Sequence, residues 1–324
     1  MKLSKSNRIG RAALLLALLA SALLTSCGGG EQVQKFQALR IIAFGDESSV
    51  ITSSGAKYTV NAVATPGTTN LVTLDCANNP IWIQAIATSY GLGFPQCNPL
   101  LLTDPTSRIY ATVGATVADL SAQIDQQQAD GGFVSGDMAT VMVGVNDVIA
   151  QFAQYPILTQ DELVANASAT GALLALQVNR LAALGVKVII STIPDVGLMP
   201  FAGDRTPGTT NNNWIVLHAM STGFNDGLLK TVLNDGHKIG LVQLDQFLIS
   251  ADGQTQNNNA AEAFVNTTLA SCAPTAPLPT CTTQTLVADA IGFNWLWADD
   301  RHLSALGQAD FGSLAVTRAQ NNPF

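Results

Sequence analysis

The chain has 324 residues, with 15 Lys+Arg against 23 Asp+Glu and a formal charge of −8 at pH 7. Phosphate contacts need clustered Lys and Arg, so an acidic chain whose basic cluster lies only at its N-terminus argues against a nucleic-acid partner. The length suffices for one sizeable α/β domain with its own core.

Residues 1–27 read as a targeting segment to be left out of the fold. Lys2, Lys5, Arg8 and Arg11 supply a positive start, and Ala12 to Leu24 an apolar run too short to span a bilayer as a helix. Leu24-Thr25-Ser26-Cys27 resembles a bacterial lipobox, which implies lipidation of Cys27 as the mature N-terminus. The alternative is an ordinary secretory signal in which Cys27 is incidental. No aspartate follows Cys27, and the likeness to lipoproteins then implies the outer membrane. Residues 28–38, with Gly28-Gly29-Gly30 and a polar continuation, read as a flexible tether, and 39–324 as a single domain. Removing the signal leaves the chain more acidic still, so a lipid anchor rather than charge would hold it at a membrane. A monomer is expected.

Four further cysteines, Cys76, Cys97, Cys272 and Cys281, form an even set in an exported chain and favour two disulfides. Three connectivities are open, and the sequence-local pairs Cys76–Cys97 and Cys272–Cys281 are preferred. A metal site is not expected, because no histidine or second cysteine stands at zinc-ligand spacing.

The elements alternate along the chain. Ile41-Ile42-Ala43-Phe44-Gly45 is an apolar run ending at a glycine, which reads as a buried strand and a sharp turn. Residues 53–69 read as an irregular insertion with a strand-like piece at Lys57-Tyr58-Thr59-Val60. The pattern then predicts a helix over 80–90, a strand over 108–113, a helix over 117–128, and a strand over 138–143. A long Ala/Leu-rich helix follows over 162–184. Val186 to Ile193 is a mainly apolar run, as parallel strands buried on both faces are. A helix over 213–233, a strand over 239–244 and a closing helix over 304–318 complete the series. Residues 253–283 read as an irregular excursion. Strands separated by helices imply a mainly parallel sheet between helical layers, a three-layer α/β/α sandwich.

Four short motifs sit at the ends of these elements: Phe44-Gly45-Asp46-Glu47-Ser48-Ser49, Gly114-Ala115-Thr116, Gly144-Val145-Asn146-Asp147, and Asp299-Asp300-Arg301-His302 before the last helix. In this order they resemble the motifs of the SGNH (GDSL) hydrolases, serine esterases of flavodoxin-like fold. The resemblance spans nearly the whole mature chain, and Ile193-Pro194-Asp195 and Phe224-Asn225-Asp226 match weaker segments of secreted members. It implies Gly114 and Asn146 as oxyanion donors and a Ser-His-Asp triad ending in Asp299 and His302. An amide can donate to a developing oxyanion without titrating. A histidine base needs an acid to fix its tautomer and stabilise the imidazolium. No cofactor or metal is implied, and no phosphate-binding glycine loop is present. The substrate class implied is an acyl ester, of lipid or acetylated sugar.

The chain departs from the family at the nucleophile. Where the family carries serine, position 47 is glutamate, and serines follow at 48 and 49. Two readings stay open. The turn shifts by one residue and Ser48 is the nucleophile of an envelope-anchored esterase, with Ser49 packing or capping. Alternatively Glu47 occupies the slot, and the protein binds acylated ligands on a hydrolase scaffold without turning them over.

Overall fold

The computed structural model describes residues 35–64, 73–206, 212–233, 236–256, 264–291 and 294–321. The targeting segment, Cys27 and most of the tether lie outside them. Phe36 and Ala38, at the end of the stretch read as tether, pack against the core.

The strands in chain order are β1 (Arg40–Gly45), β2 (Ala62–Val63), β3 (Leu74–Asp75), β4 (Arg108–Ile109), β5 (Asp137–Met142), β6 (Lys187–Ser191), β7 (Ile239–Val242), β8 (Asn266–Ala270) and β9 (Trp295–Trp297). The helices are α1 (Trp82–Ser89), α2 (Val117–Ala129), α3 (Val145–Phe152), α4 (Gln160–Ala183), α5 (Asn213–Thr231), α6 (Leu244–Gln256) and α7 (Ala305–Asn321). Strands β4, β1, β5, β6 and β7 form one parallel sheet in that spatial order. The chain leaves β1 for β4 on one side and returns to β5 on the other. That reversal is the switch point at which open α/β sheets gather ligands, outside the carboxyl ends of the strands.

Successive side chains of a strand point to opposite faces, yet Ile41, Ile42, Ala43 and Phe44 are all fully buried. The sheet is therefore covered on both faces, as its apolar strands require. Helices α1 and α7 form one group against β1, β6 and β7, with Trp82 stacked on Phe311 at 4.7 Å between ring centroids. Helices α2 and α4 lie against β1 and β6, and α5 packs on α4. The expected fold class, α/β with a central parallel sheet between helical layers, is the one observed.

Several boundaries move for local reasons. The strand expected over 108–113 pairs only at Arg108–Ile109. Beyond it the chain turns along the end of β1, where Tyr110 N–H donates to Ala43 O at 2.8 Å and Thr112 N–H to Gly45 O at 3.0 Å. Helix α4 starts at Gln160 rather than 162, because Thr159 and Glu162 close a capping box in which the Glu162 carboxylate accepts the Thr159 N–H at 2.8 Å. Helix α3 is not expected from the sequence, nor are α6 and the small β8–β9 ribbon. The excursion at 253–283 thus contains a strand. Both disulfides form the preferred local pairs, Cys76–Cys97 and Cys272–Cys281.

The loop after β1 is pinned from within. Lys57 is fully buried, and its ammonium donates to the carbonyls of Cys76, Asn78 and Asn79 at 2.8–3.0 Å. The Asn61 amide reaches Pro279 O and Cys281 O at 2.9 and 3.1 Å, joining this loop to the second disulfide.

At the opposite end of β1, Arg40 fixes the register. Its Nε and Nη2 donate to the two oxygens of Asp137 at 2.9 and 2.7 Å, and Nη2 also donates to Gly132 O at 3.0 Å. The Asp137 side chain is fully buried. Removing one member of a buried pair leaves the other charge uncompensated. Arg40→Met should therefore lower unfolding stability by about 3–5 kcal/mol, and Asp137→Asn in the same chain should recover part of it. Urea denaturation checks this, and a loss below about 1 kcal/mol, the worth of an exposed pair, would contradict it.

Candidate active site

Strand β1 ends at Gly45, whose φ of +119° only glycine adopts easily, and a Cβ there would lie 1.8 Å from Met142 O. The next residue, Asp46, donates its N–H to Met142 O at 3.0 Å and accepts Ser48 N–H on its carboxylate at 3.0 Å. That contact caps a 3-10 turn over Glu47–Ser49. The turn decides which side chain faces the histidine.

It presents Glu47. One carboxylate oxygen of Glu47, Oε2, accepts the Gly114 N–H at 2.8 Å and the Asn146 Nδ2–H at 3.1 Å. The other, Oε1, lies 3.3 Å from His302 Nε2. On its far side His302 Nδ1 lies 2.9 and 2.8 Å from the two oxygens of Asp299. Asp299 also accepts the backbone N–H groups of Arg301 and His302, at 2.9 and 2.8 Å, which orients the carboxylate. The ring is thus flanked by acceptors on both nitrogens. Only the doubly protonated imidazolium can donate to both.

The expectation that Ser48 meets His302 is not what the structure shows. Ser48 makes its capping contact through its backbone and forms no hydrogen bond with either ring nitrogen. Ser49 is fully buried and accepts the Trp82 indole N–H at 3.2 Å, which ties the turn to α1. The physical reason is the phase of the turn: Asp46 and Ser49 both anchor inward, so the residue between them that points at the sheet edge is 47.

The other residues singled out from the sequence do converge. Gly114 comes from the turn after β4, Asn146 from the first turn of α3, and Asp299 and His302 from the loop between β9 and α7. Asn146 also donates to Ala115 O at 3.1 Å. Its neighbour Asp147 accepts the Val117 N–H at 3.0 Å, which fixes α3 against the start of α2. The weaker segments also meet. The Asn225 amide bonds both main-chain groups of Ile193 at 3.0 Å, and Asp195 caps Gly197 N–H at 2.8 Å while holding His218 Nδ1 at 2.5 Å. Tyr58 is a neighbour that sequence reasoning missed: its ring centroid stands 5.7 Å from that of His302. No spacing signal marks it, since its approach depends on the loop pinned by Lys57.

The charges respond to this crowding. Burial disfavours the imidazolium of His302, but hydrogen bonds to Asp299 and Glu47 outweigh it and raise its pKa to about 9. Burial also opposes ionisation of Glu47, and the bonds from His302 and Gly114 N–H overcome it, holding its carboxyl well below its usual range. Asp46 moves up, from burial first and the Glu47 charge second. Burial lifts Asp147 to about 6. At neutral pH His302 is a cation between two carboxylates, and a protonated histidine is not a general base.

Space is equally restricted. The cavity beside the ring, lined by Glu47, Ser48, Met142, Pro194, His302 and Phe311 among others, holds about 20 Å³, room for one water. Among the described residues no His/Cys/Asp/Glu group could hold a metal ion, and no helix is long and apolar enough to cross a membrane.

No family model and no curated protein matches the sequence. Solved structures do align with it along most of their length. One is a lipase, Lip_vut3, from a goat rumen metagenome, at 12% identity and a TM-score of 0.47, covering 87% of this chain and 98% of that one. Another is a member of the lipolytic G-D-S-L family from Veillonella parvula, at 12% identity and a TM-score of 0.41, over 86% and 95%. A third is the acetyl xylan esterase AlAXEase, at 13% identity and a TM-score of 0.40, over 85% and 97%.

Stability should follow the charge on His302. Its pKa is raised in the fold, so the contribution of its ion pairs is complete below the ordinary value of 6.5 and is lost as pH rises through about 9. Lys57 acts in the opposite sense: burial lowers its pKa from 10.5 to about 8, so stability gains as pH rises between those values. Comparison with His302→Gln cancels Lys57, which both proteins keep. The wild-type advantage in urea unfolding should shrink by about 3 kcal/mol between pH 6 and 10, at about 1.4 kcal/mol per pKa unit. An advantage independent of pH would contradict a charged His302.

Proposed function

We propose that the protein is a hydrolase scaffold of the SGNH kind, lipid-anchored at the cell envelope through Cys27, that does not turn over esters because Glu47 closes its acyl-transfer centre. One observation carries this reading: the Glu47 carboxylate engages the two oxyanion donors and the histidine at once. Acyl transfer through serine needs three things together. A hydroxyl must bond to a neutral histidine, the carbonyl oxygen must reach the donors, and the carbonyl carbon must lie between them. Glu47 takes the histidine and the donors and leaves His302 charged. The order of the four motifs supports the scaffold, and the lipobox pattern supports the anchor. Acylated lipid or carbohydrate is the ligand class that the resemblance implies.

The second reading is the serine esterase with Ser48 as nucleophile and acyl esters as substrate. It is favoured by one fact, that Ser48 lines the same small cavity as His302. It requires Glu47 to leave the donors and His302 to lose a proton.

Hydrolysis of p-nitrophenyl acetate separates the two. Wild type and Ser48→Ala should both run at the rate of the buffer blank. Glu47→Ser should gain turnover, which His302→Ala in the same chain abolishes. Asn146→Ala in that chain should cost roughly 10²–10³ in rate if it supplies one oxyanion hydrogen bond. Wild-type hydrolysis that disappears in Ser48→Ala would establish the second reading instead.

The anchor has its own test. Cys27→Ser should lose metabolic labelling by palmitate and leave the membrane fraction. A variant that stays in the membrane fraction at native size would contradict the lipid anchor.

A further inference from the structure

We propose that Gly114 N–H, Asn146 Nδ2 and His302 Nε2 form a receptor for a short-chain carboxylate, and that Glu47 is its tethered ligand. The inference rests on the reading that Glu47 fills the hydrolase centre, and it names what that centre recognises.

The three donors come from parts of the chain 67, 99 and 255 residues away from Glu47. Each is held without its help. The turn carrying Gly114 is fixed by Thr112 N–H on Gly45 O and Ala115 N–H on Thr112 O, at 3.0 and 3.2 Å. Asn146 sits in the first turn of α3, where Asp147 bonds across to Val117. Asp299 grips both the ring and the backbone of His302. A preformed set of donors retains its geometry when the ligand is removed.

The chemistry of the set selects a carboxylate. Two neutral N–H groups converge on one oxygen and a cationic N–H faces the other, so the ligand needs two acceptor oxygens and a negative charge. An ester carries no charge to pair with His302. Chloride lacks the second acceptor atom.

The side-chain formula sets the ligand size. Beyond its Cβ, glutamate is a CH2–COO⁻ group, so Glu47→Ala removes the heavy-atom skeleton of acetate. Glu47→Gly removes that of propionate. The neighbouring cavity of about 20 Å³ adds no room for a longer chain on its side of the ring. Acetate should therefore fill the alanine variant, propionate the glycine variant, and butyrate should fit neither well.

Binding should depend on pH through His302, with Asp46, Tyr58, Asp299 and Arg301 as the other titratable groups around it. Losing Glu47 removes one of the two carboxylates that keep the ring charged. Acetate affinity in the variant should thus fall as pH rises and the ring loses its proton.

The test is thermal unfolding and calorimetric titration of Glu47→Ala and Glu47→Gly with sodium acetate, propionate, butyrate, methyl acetate and chloride at constant ionic strength. Acetate should raise the Tm of the alanine variant saturably, because a ligand bound only by the native state stabilises it by mass action. Propionate should do the same for the glycine variant. Butyrate, methyl acetate and chloride should not, and wild type should respond to none. Adding Asn146→Ala to the alanine variant should weaken acetate binding at least about tenfold, the loss of one charge-assisted hydrogen bond. A variant that folds only with its acid present supports the receptor as a rescued melt does. Equal response to acetate and chloride, the same response in wild type, or two variants that neither fold nor bind with acid present would overturn the proposal. Failure here with an inert wild type sinks the receptor alone, whereas ester hydrolysis by wild type sinks the closed centre itself.

Discussion

The candidate site is built around one buried ion pair. Glu47 and the His302 imidazolium meet at the carboxyl edge of the sheet, and both side chains are about nine-tenths buried. Removing two charges from water is costly, and their attraction offsets that cost only when the remaining donors and acceptors are satisfied. Here they are. Glu47 accepts two further N–H groups, and His302 donates its second ring N–H to Asp299. The pair therefore meets groups from the turn after β4, the start of α3 and the loop before α7 at the end of β1.

The same interaction underlies the proposal that the centre is closed to acyl transfer. A general base works best with a pKa near the operating pH, and His302 is pushed about two units above neutrality by its two carboxylate neighbours. Glu47 thus acts twice, by engaging Gly114 N–H and Asn146 Nδ2 and by holding the histidine charged. Replacing it with serine undoes both effects in one step.

Much of the fold is legible in the sequence because its central strands are buried on both faces. Ile41–Phe44, Met138–Val143 and Val186–Ile193 read as strands from their mainly apolar and β-branched character. Edge elements are less so: β4 pairs over two residues, and β8 and β9 are short strands that find each other only across a disulfide-bearing loop. Helix α3 is hidden because Gly-Val-Asn-Asp reads equally as a turn, and only packing against α4 and α5 decides for a helix. Of the site, Gly114, Asn146, Asp299 and His302 are recoverable from short motifs at element ends. The identity of the residue facing His302 is not. It turns on the phase of a three-residue turn, set by Asp46 capping Ser48 and by Ser49 bonding Trp82, 33 residues on. Tyr58 is invisible for a related reason, since a buried lysine and an asparagine clamp place it.

A high-resolution crystal structure of the wild-type protein grown at neutral pH tests most directly whether the Glu47 carboxylate occupies Gly114 N–H and Asn146 Nδ2. The predicted result is density for the Glu47 carboxylate within hydrogen-bond distance of Gly114 N, Asn146 Nδ2 and His302 Nε2, with Ser48 Oγ away from the ring. Glu47 turned to solvent, a water on the two donors and Ser48 Oγ bonded to His302 Nε2 would contradict it.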